Sequence, residues 1–301
     1  RGGAACENTR LTDNIGANNA NYGIGIADAI DNVLTGNTAA ANSGYGIGIY
    51  SGSRDSGLAN NICTGNGGGI TVDYLVTGTV IMNNIAFDNG ANGGINLFNS
   101  DNNVITLNAC NSNQGPGISI GRASNNRVMG NTALNNAEGI GIWNSTNNIL
   151  ISNTVSNGST GIKVDWCTTN TLTNNTASSN EQEGIWIANS TDSVLTGNTV
   201  SGNNTSLDST RSGIRIGDAC SNTALTGNAV EGNGNDGVQI HNSSGTILTD
   251  NTITFNSGAG VSISGLGTGN TVNSNIIFGN TGLGIDLEGN GVTLNDVGDE
   301  D

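Results

Sequence analysis

The chain has 301 residues, including 48 glycines and a single proline, with 4% aromatic and 11% charged residues and a formal net charge of −16. Twenty-four acids against eight basic residues exclude a nucleic-acid partner, which needs the opposite balance, and disfavour an anionic membrane surface. No run of eighteen apolar residues exists, so there is no transmembrane helix.

From Leu11 onward the chain is one small unit repeated. An aliphatic residue stands three positions before an asparagine twelve times, from Leu11 and Asn14 to Val272 and Asn275. A second asparagine follows five residues later in eleven copies, from Asn19 to Asn280; the seventh copy has Gly158 there. About ten residues after the first asparagine comes a Gly-aliphatic-x-aliphatic strand. Its first aliphatic is Ile24, Ile47, Ile70 and so on to Ile285, at intervals of 22 to 25 apart from one of 29 between Ile185 and Ile214. A fixed period of this length built on strand patterning indicates a solenoid.

Within each copy apolar residues alternate with polar or small ones, as in Gly184-Ile185-Trp186-Ile187, which reads as short strands with one face buried. Glycine and asparagine supply the corners, because both tolerate left-handed backbone. Stacked asparagines satisfy one another's amides in a ladder. Three strands and three turns per copy give an all-β, right-handed single-stranded parallel β-helix of about twelve coils of ~23 residues, a single domain over 1–301. At a coil spacing of about 4.8 Å it makes a rod on the order of 55–60 Å long.

The phrases Gly-Asn-Thr-x-x-x-Asn and Gly-Ile-x-Ile-x-Asn-Ser, as at Gly130-Asn131-Thr132 and Gly139-Ile140, resemble the repeats of the right-handed parallel β-helix, or pectate-lyase-like, proteins. The resemblance covers essentially the whole chain. It implies an extracellular or cell-surface location and a polysaccharide as partner. Enzymes of this kind remove a proton beside a carboxylate and need a base, an acid and a charge neutraliser. The Tyr-Gly-x-Asp-Pro-His phrase of uronan epimerases is absent, since the only proline lies in Gly115-Pro116-Gly117.

Five cysteines fall into the repeat register. Cys6, Cys167 and Cys220 share one column of small inward residues, and Cys63 and Cys110 share another. Nearest neighbours in a column are two coils apart, roughly 9.6 Å, beyond disulfide reach, so free buried thiols are expected.

The Gly-Ile-x-Ile-x strand has two outward columns, and their large side chains concentrate in the sixth to tenth copies. Trp143, Lys163, Asp165, Trp186, Arg215, Gln239 and His241 are thereby placed on one face. Indoles stack on sugar rings and cations pair with uronate carboxylates, so this set is the candidate ligand strip. As a catalytic set, Lys163 or His241 is the base, Arg215 the neutraliser and Asp165 the orienting acid; Asp165 and His241 stand three coils apart, about 14 Å. The long interval predicts a protruding loop over 203–211 beside this strip. Among the Asn-x-Ser/Thr triplets, only Asn204-Thr205-Ser206 lies on that loop, as a candidate glycan acceptor.

Toward the C-terminus, Asp286, Glu288 and Asn290 before Gly291 imitate the first half of a calcium loop, with Val297 where a bidentate acid belongs. The chain otherwise implies no cofactor. The acidic tail over 291–301 closes it, and Arg1 opens it inside a repeat, as expected of a chain trimmed or excised from a longer one. Neither end carries an amphipathic helical cap, so the partners expected are flanking domains of a larger surface protein or further copies stacked end to end. The function expected is an extracellular structural β-helix, a scaffold or filament subunit binding polysaccharide on one face. The alternative is a polysaccharide lyase or uronan epimerase working on that face.

Overall fold

The computed structural model describes residues 6–206, 208 and 210–288. Over these residues the chain is the expected all-β parallel solenoid, without a helix, and each coil gives one strand to each of three twelve-stranded parallel sheets. One coil shows the plan: Val104–Thr106 lies in the first sheet, Ala109–Asn111 in the second and Pro116–Gly121 in the third. Equivalent residues pair from coil to coil, as Ile118 does with Ile95 and Ile140. Isolated bridges such as Thr146 with Ser124 and Thr168 close the fourth side.

The corners are sharper in their rule than glycine and asparagine alone suggest. The residue before each ladder position has positive φ in every coil, and it is Leu107 in one coil, Ala41 in another and Phe255 in a third. A leucine at φ 57° is strained in isolation. It persists because the asparagine after it is locked on both sides. Asn108 donates from its backbone and its side-chain amide to Asn131 Oδ1, both at 2.9 Å, while that amide also donates to the Ile81 carbonyl at 2.9 Å.

Both expected asparagine ladders are present, and each buried amide is satisfied by the neighbouring coils. A third, interrupted ladder escaped the sequence reading. The backbone N–H groups of Asn103, Asn126 and Asn148 donate to Oδ1 of Asn126, Asn148 and Asn170 in turn, at 2.8–2.9 Å. Its column also holds Thr79, Ser193, Thr223 and Thr246, and that mixture hid the pattern.

The inward columns are short aliphatics, with Leu34, Leu58, Ile81, Ile105 and their counterparts fully buried in one continuous core. The recurrent glycine before each Ile follows from the ladder. A Cβ on Gly117 would come within 2.7 Å of both Asn136 Nδ2 and Ala133 Cβ. All five cysteines are free. Cys63, Cys110, Cys167 and Cys220 are buried as expected, whereas Cys6, in the first coil, is exposed and shares a hydrogen bond with Thr9 Oγ1 at 3.1 Å.

Candidate ligand-binding face

The outer surface of the third sheet carries three columns of side chains, one more than the sequence reading counted. The extra column lies two residues before the first aliphatic, where strands such as Glu138–Trp143, Thr160–Asp165 and Asp236–His241 begin early. It contains Tyr45, Pro116, Glu138, Thr160, Ser212 and Asp236, paired coil to coil in parallel register, together with Glu183 before its own strand. Counting from the isoleucine alone concealed it. The signal was available in the recurrence of acids at one repeat offset, at Glu138, Glu183 and Asp236.

The central outward column runs Lys163, Trp186, Arg215 and Gln239 on adjacent strands. The Lys163 ammonium sits 4.3 Å from the Trp186 ring centroid, and the guanidiniums of Arg215 and Arg211 lie at 5.7 and 5.8 Å. All are within cation–π reach. Three of the eight basic residues in the chain therefore converge on one indole. The other strip indole, Trp143, packs 5.4 Å from Phe98 and donates from Nε1 to Ser119 Oγ at 3.3 Å. Both are half-buried among these partners, and the indole that stands free is Trp166, on a left-handed turn.

Two cavities flank Trp186. The first, about 200 Å³, is lined by Pro116, Ser119, Glu138, Trp143, Lys163 and Asp165 together with Ile142. Lys163 Nζ is 3.5 Å from Asp165, whose carboxylate also accepts from Asn189 Nδ2 at 3.0 Å. Glu138 lies over Gly141, where a Cβ would collide with its carboxylate. Burial pushes its carboxyl up to about 7, against the pull of Lys163 and with a further push from Asp165. The second cavity, about 270 Å³, is lined by Thr210, Arg215, Gln239, His241 and Ser264. His241 shares hydrogen bonds with Ser264 Oγ at 3.0 Å through Nδ1 and with Asn242 Nδ2 at 2.9 Å through Nε2.

The structure thus brings Lys163, Asp165 and Trp143 together with the unanticipated Glu138, and separately brings Arg215, Gln239 and His241 together. The four residues of the catalytic alternative do not meet: Lys163 and Asp165 face one cavity, Arg215 and His241 the other.

The insertion over 203–211 folds down onto this face. Leu207 and Ser209 within it lie outside the described residues. Asn204 N donates to the Gln182 carbonyl at 2.7 Å, and Ser206 Oγ to the Glu181 carbonyl at 2.8 Å. Arg211 Nη1 reaches Glu183 Oε1 at 2.9 Å and its Nε lies 3.7 Å from Asp208. Glu183 is fully buried and is shared with Arg215 Nη1 at 3.7 Å. The loop also corrects the glycan-acceptor expectation. Asn204 is wholly buried, with Nδ2 donating to the Asp208 carbonyl at 2.8 Å and Oδ1 accepting from Asp208 N at 2.9 Å, so its amide is not open to a transferase.

For the calcium expectation, Asn290 lies outside the described residues, as does the acidic tail over 291–301. Asp286 pairs with Ser262 on the third sheet, and Glu288 N donates to the Ile263 carbonyl at 2.7 Å. Among the described residues no three His, Cys, Asp or Glu side chains are grouped to hold a metal ion, and no helix is long and apolar enough to cross a membrane.

Comparison with known proteins adds a family and a set of similar folds. The family described as "Right handed beta helix region" matches residues 3–155 and 138–297. No curated protein sequence matches the chain. Among solved structures, the A-module of a mannuronan C-5 epimerase of Azotobacter vinelandii superposes with a TM-score of 0.69 at 15% identity, covering 91% of this chain and 81% of that one. A surface adhesin of Streptococcus pneumoniae superposes with a TM-score of 0.66 at 10% identity, covering 92% and 83%. A periplasmic alginate epimerase gives 0.57 at 16% identity, covering 84% and 74%. At these identities the likeness is one of fold.

Proposed function

The chain belongs to the right-handed β-helix family, and on that scaffold we propose that it is an extracellular or cell-surface β-helix, a rigid rod that binds an acidic polysaccharide along its third sheet. The observation that carries this reading is the convergence of Lys163, Arg211 and Arg215 on Trp186 in a chain of net charge −16. Arg122, 5.5 Å from the Phe98 ring that touches Trp143, extends the cationic and aromatic strip by one more of the eight basic residues. The strip runs across coils spaced by about 4.8 Å, so a glycan laid along the rod meets a new outward side chain at each coil. The epimerase and adhesin neighbours support a carbohydrate-related or surface role.

Isothermal titration with polygalacturonate, alginate and uncharged dextran tests the reading. Binding of the two uronans and not of dextran is expected, weakened by Trp143→Ala and by Lys163→Ala. Equal binding of dextran, or none of any uronan, refutes it.

A second reading, a lyase or epimerase, is favoured by one observation. Glu138, with its carboxyl near 7, faces Lys163 and Asp165 across the first cavity, an acid and a potential base within one site. Prolonged incubation with uronans, followed by the ultraviolet absorbance of unsaturated product and by proton NMR for inverted sugars, decides it. Turnover abolished by Lys163→Ala supports the enzyme; unchanged glycan with intact binding supports the scaffold.

A further inference from the structure

The second cavity differs in chemistry from the rest of this acidic molecule. Thr210, Arg215, Gln239, His241 and Ser264 all carry hydrogen-bond donors or can do so, and no carboxylate lines it. The first cavity, by contrast, presents Glu138 and Asp165. Lys163 is engaged with Asp165 and Arg211 with Glu183; Arg211 and Arg215 each keep a buried Nε without a hydrogen-bond partner, and of these three cations Arg215 is the one that lines this cavity. Its guanidinium lies beside Gly217, where a Cβ would come within 3.2 Å of Nε. Gly217, which carries no side chain there, leaves the space that Arg215 uses.

Beneath Arg215 lies Glu183. Its side chain is 0% exposed, Oε1 is shared between Arg211 and Arg215, and Oε2 has no hydrogen-bond partner. A buried carboxylate with one unpartnered oxygen costs stability relative to an apolar residue. What it supplies is geometry. It ties the loop, through Arg211, to the strand that carries Arg215, while Arg215 Nη1 donates to the Thr210 carbonyl of the same loop at 3.2 Å.

We propose that this cavity seats one oxyanion carried by a glycan, a uronate carboxylate or a sulfate ester, held by Arg215, Gln239 and the Ser264 hydroxyl that His241 orients, with Glu183 as the positioning residue that fixes Arg215 and ties the loop to its strand. The proposal rests on the glycan-binding reading and names its charged group and pocket. A planar guanidinium matches such an anion through paired donors, and the Gln239 amide and the Ser264 hydroxyl add directional ones.

The test compares polygalacturonate, dextran sulfate and uncharged dextran by titration against the full chain and four variants. Arg215→Gln is expected to weaken the preferred polyanion at least about tenfold, the loss of one charge-assisted contact. Arg127→Gln removes the same charge from an exposed position on the first sheet and is expected to change little. Preference for polygalacturonate identifies a carboxylate, and preference for dextran sulfate a sulfate ester. Glu183→Gln is expected to retain polyanion binding while bringing the two affinities together, because a guanidinium released from its anchor attracts either anion without geometric selection. A merely structural Glu183 would weaken both in proportion and leave their ratio intact. If Arg215→Gln binds like the parent while Lys163→Ala loses binding, the face binds glycan and the oxyanion seat is refuted. If the parent binds no charged glycan, both readings fall.

Discussion

Replacing Asn131 by alanine tests whether the ladder is a source of stability or a by-product of register. Asn131 is 1% exposed in the middle of the rod. Its Oδ1 accepts from Asn108 N and Asn108 Nδ2, and its Nδ2 donates to the Ile105 carbonyl and to Asn153 Oδ1, all four at 2.9 Å. Alanine removes all four and strands the buried Asn108 N–H. At about 0.5–1.5 kcal/mol of net stability per bond, the loss is about 2–6 kcal/mol. The Asn131 backbone N–H keeps its bond to Asn153 Oδ1, so the backbone course has no reason to change. Urea unfolding followed by circular dichroism should show the midpoint falling by roughly 0.5–2 M with the slope unchanged. Asn92→Ala, at an exposed asparagine with no side-chain hydrogen bond, is the control and should stay within about 0.5 kcal/mol of the parent. If Asn131→Ala shifts the midpoint no further than that control, the ladder contributes no net stability and the corner argument built on it fails. A reduced slope would instead show that the coils unfold piecemeal.

Two further outcomes follow from the titrating groups. Glu138 holds its proton to about 7 in the folded chain against an ordinary value of 4.5, so the unfolded chain releases that proton first as pH rises. Stability is therefore full below about 4.5, falls between 4.5 and 7, and stays reduced above; the complete loss is on the order of 3 kcal/mol. Glu138→Gln should accordingly stabilise the protein at pH 8 and not at pH 4, and a gain equal at both would show that the carboxyl titrates normally. Among the thiols, burial pushes Cys63 up to about 12 and raises Cys110, Cys167 and Cys220 as well, while Cys6 is exposed. Ellman's reagent should thus modify one thiol in the native protein and five after denaturation, and prompt native modification of a second would contradict the packed columns.

The candidate face was legible as far as periodicity carries. Lys163, Trp186, Arg215 and Gln239 could be aligned because equal repeat offsets become register partners. Glu183 and Arg211 could not be paired in that way, since Arg211 sits in the one insertion that breaks the period, where offset no longer specifies position. Asn204 shows the same limit. Its triplet suggested an exposed acceptor, and the loop instead turned the amide inward to bind its own backbone.

By itself the sequence determined the architecture: the strands, the coil register, two of the three ladders and the free thiols. Each of these depends only on a residue's offset in the repeat, and translation from coil to coil carries that offset unchanged into space. Only the tertiary structure decided that Glu138 joins Lys163 and Asp165, that three cations gather on Trp186, and that a buried Glu183 ties the loop to Arg215. Those contacts depend on rotamers, on where neighbouring glycines leave room, and on how an aperiodic loop packs, and none of these repeats along the chain.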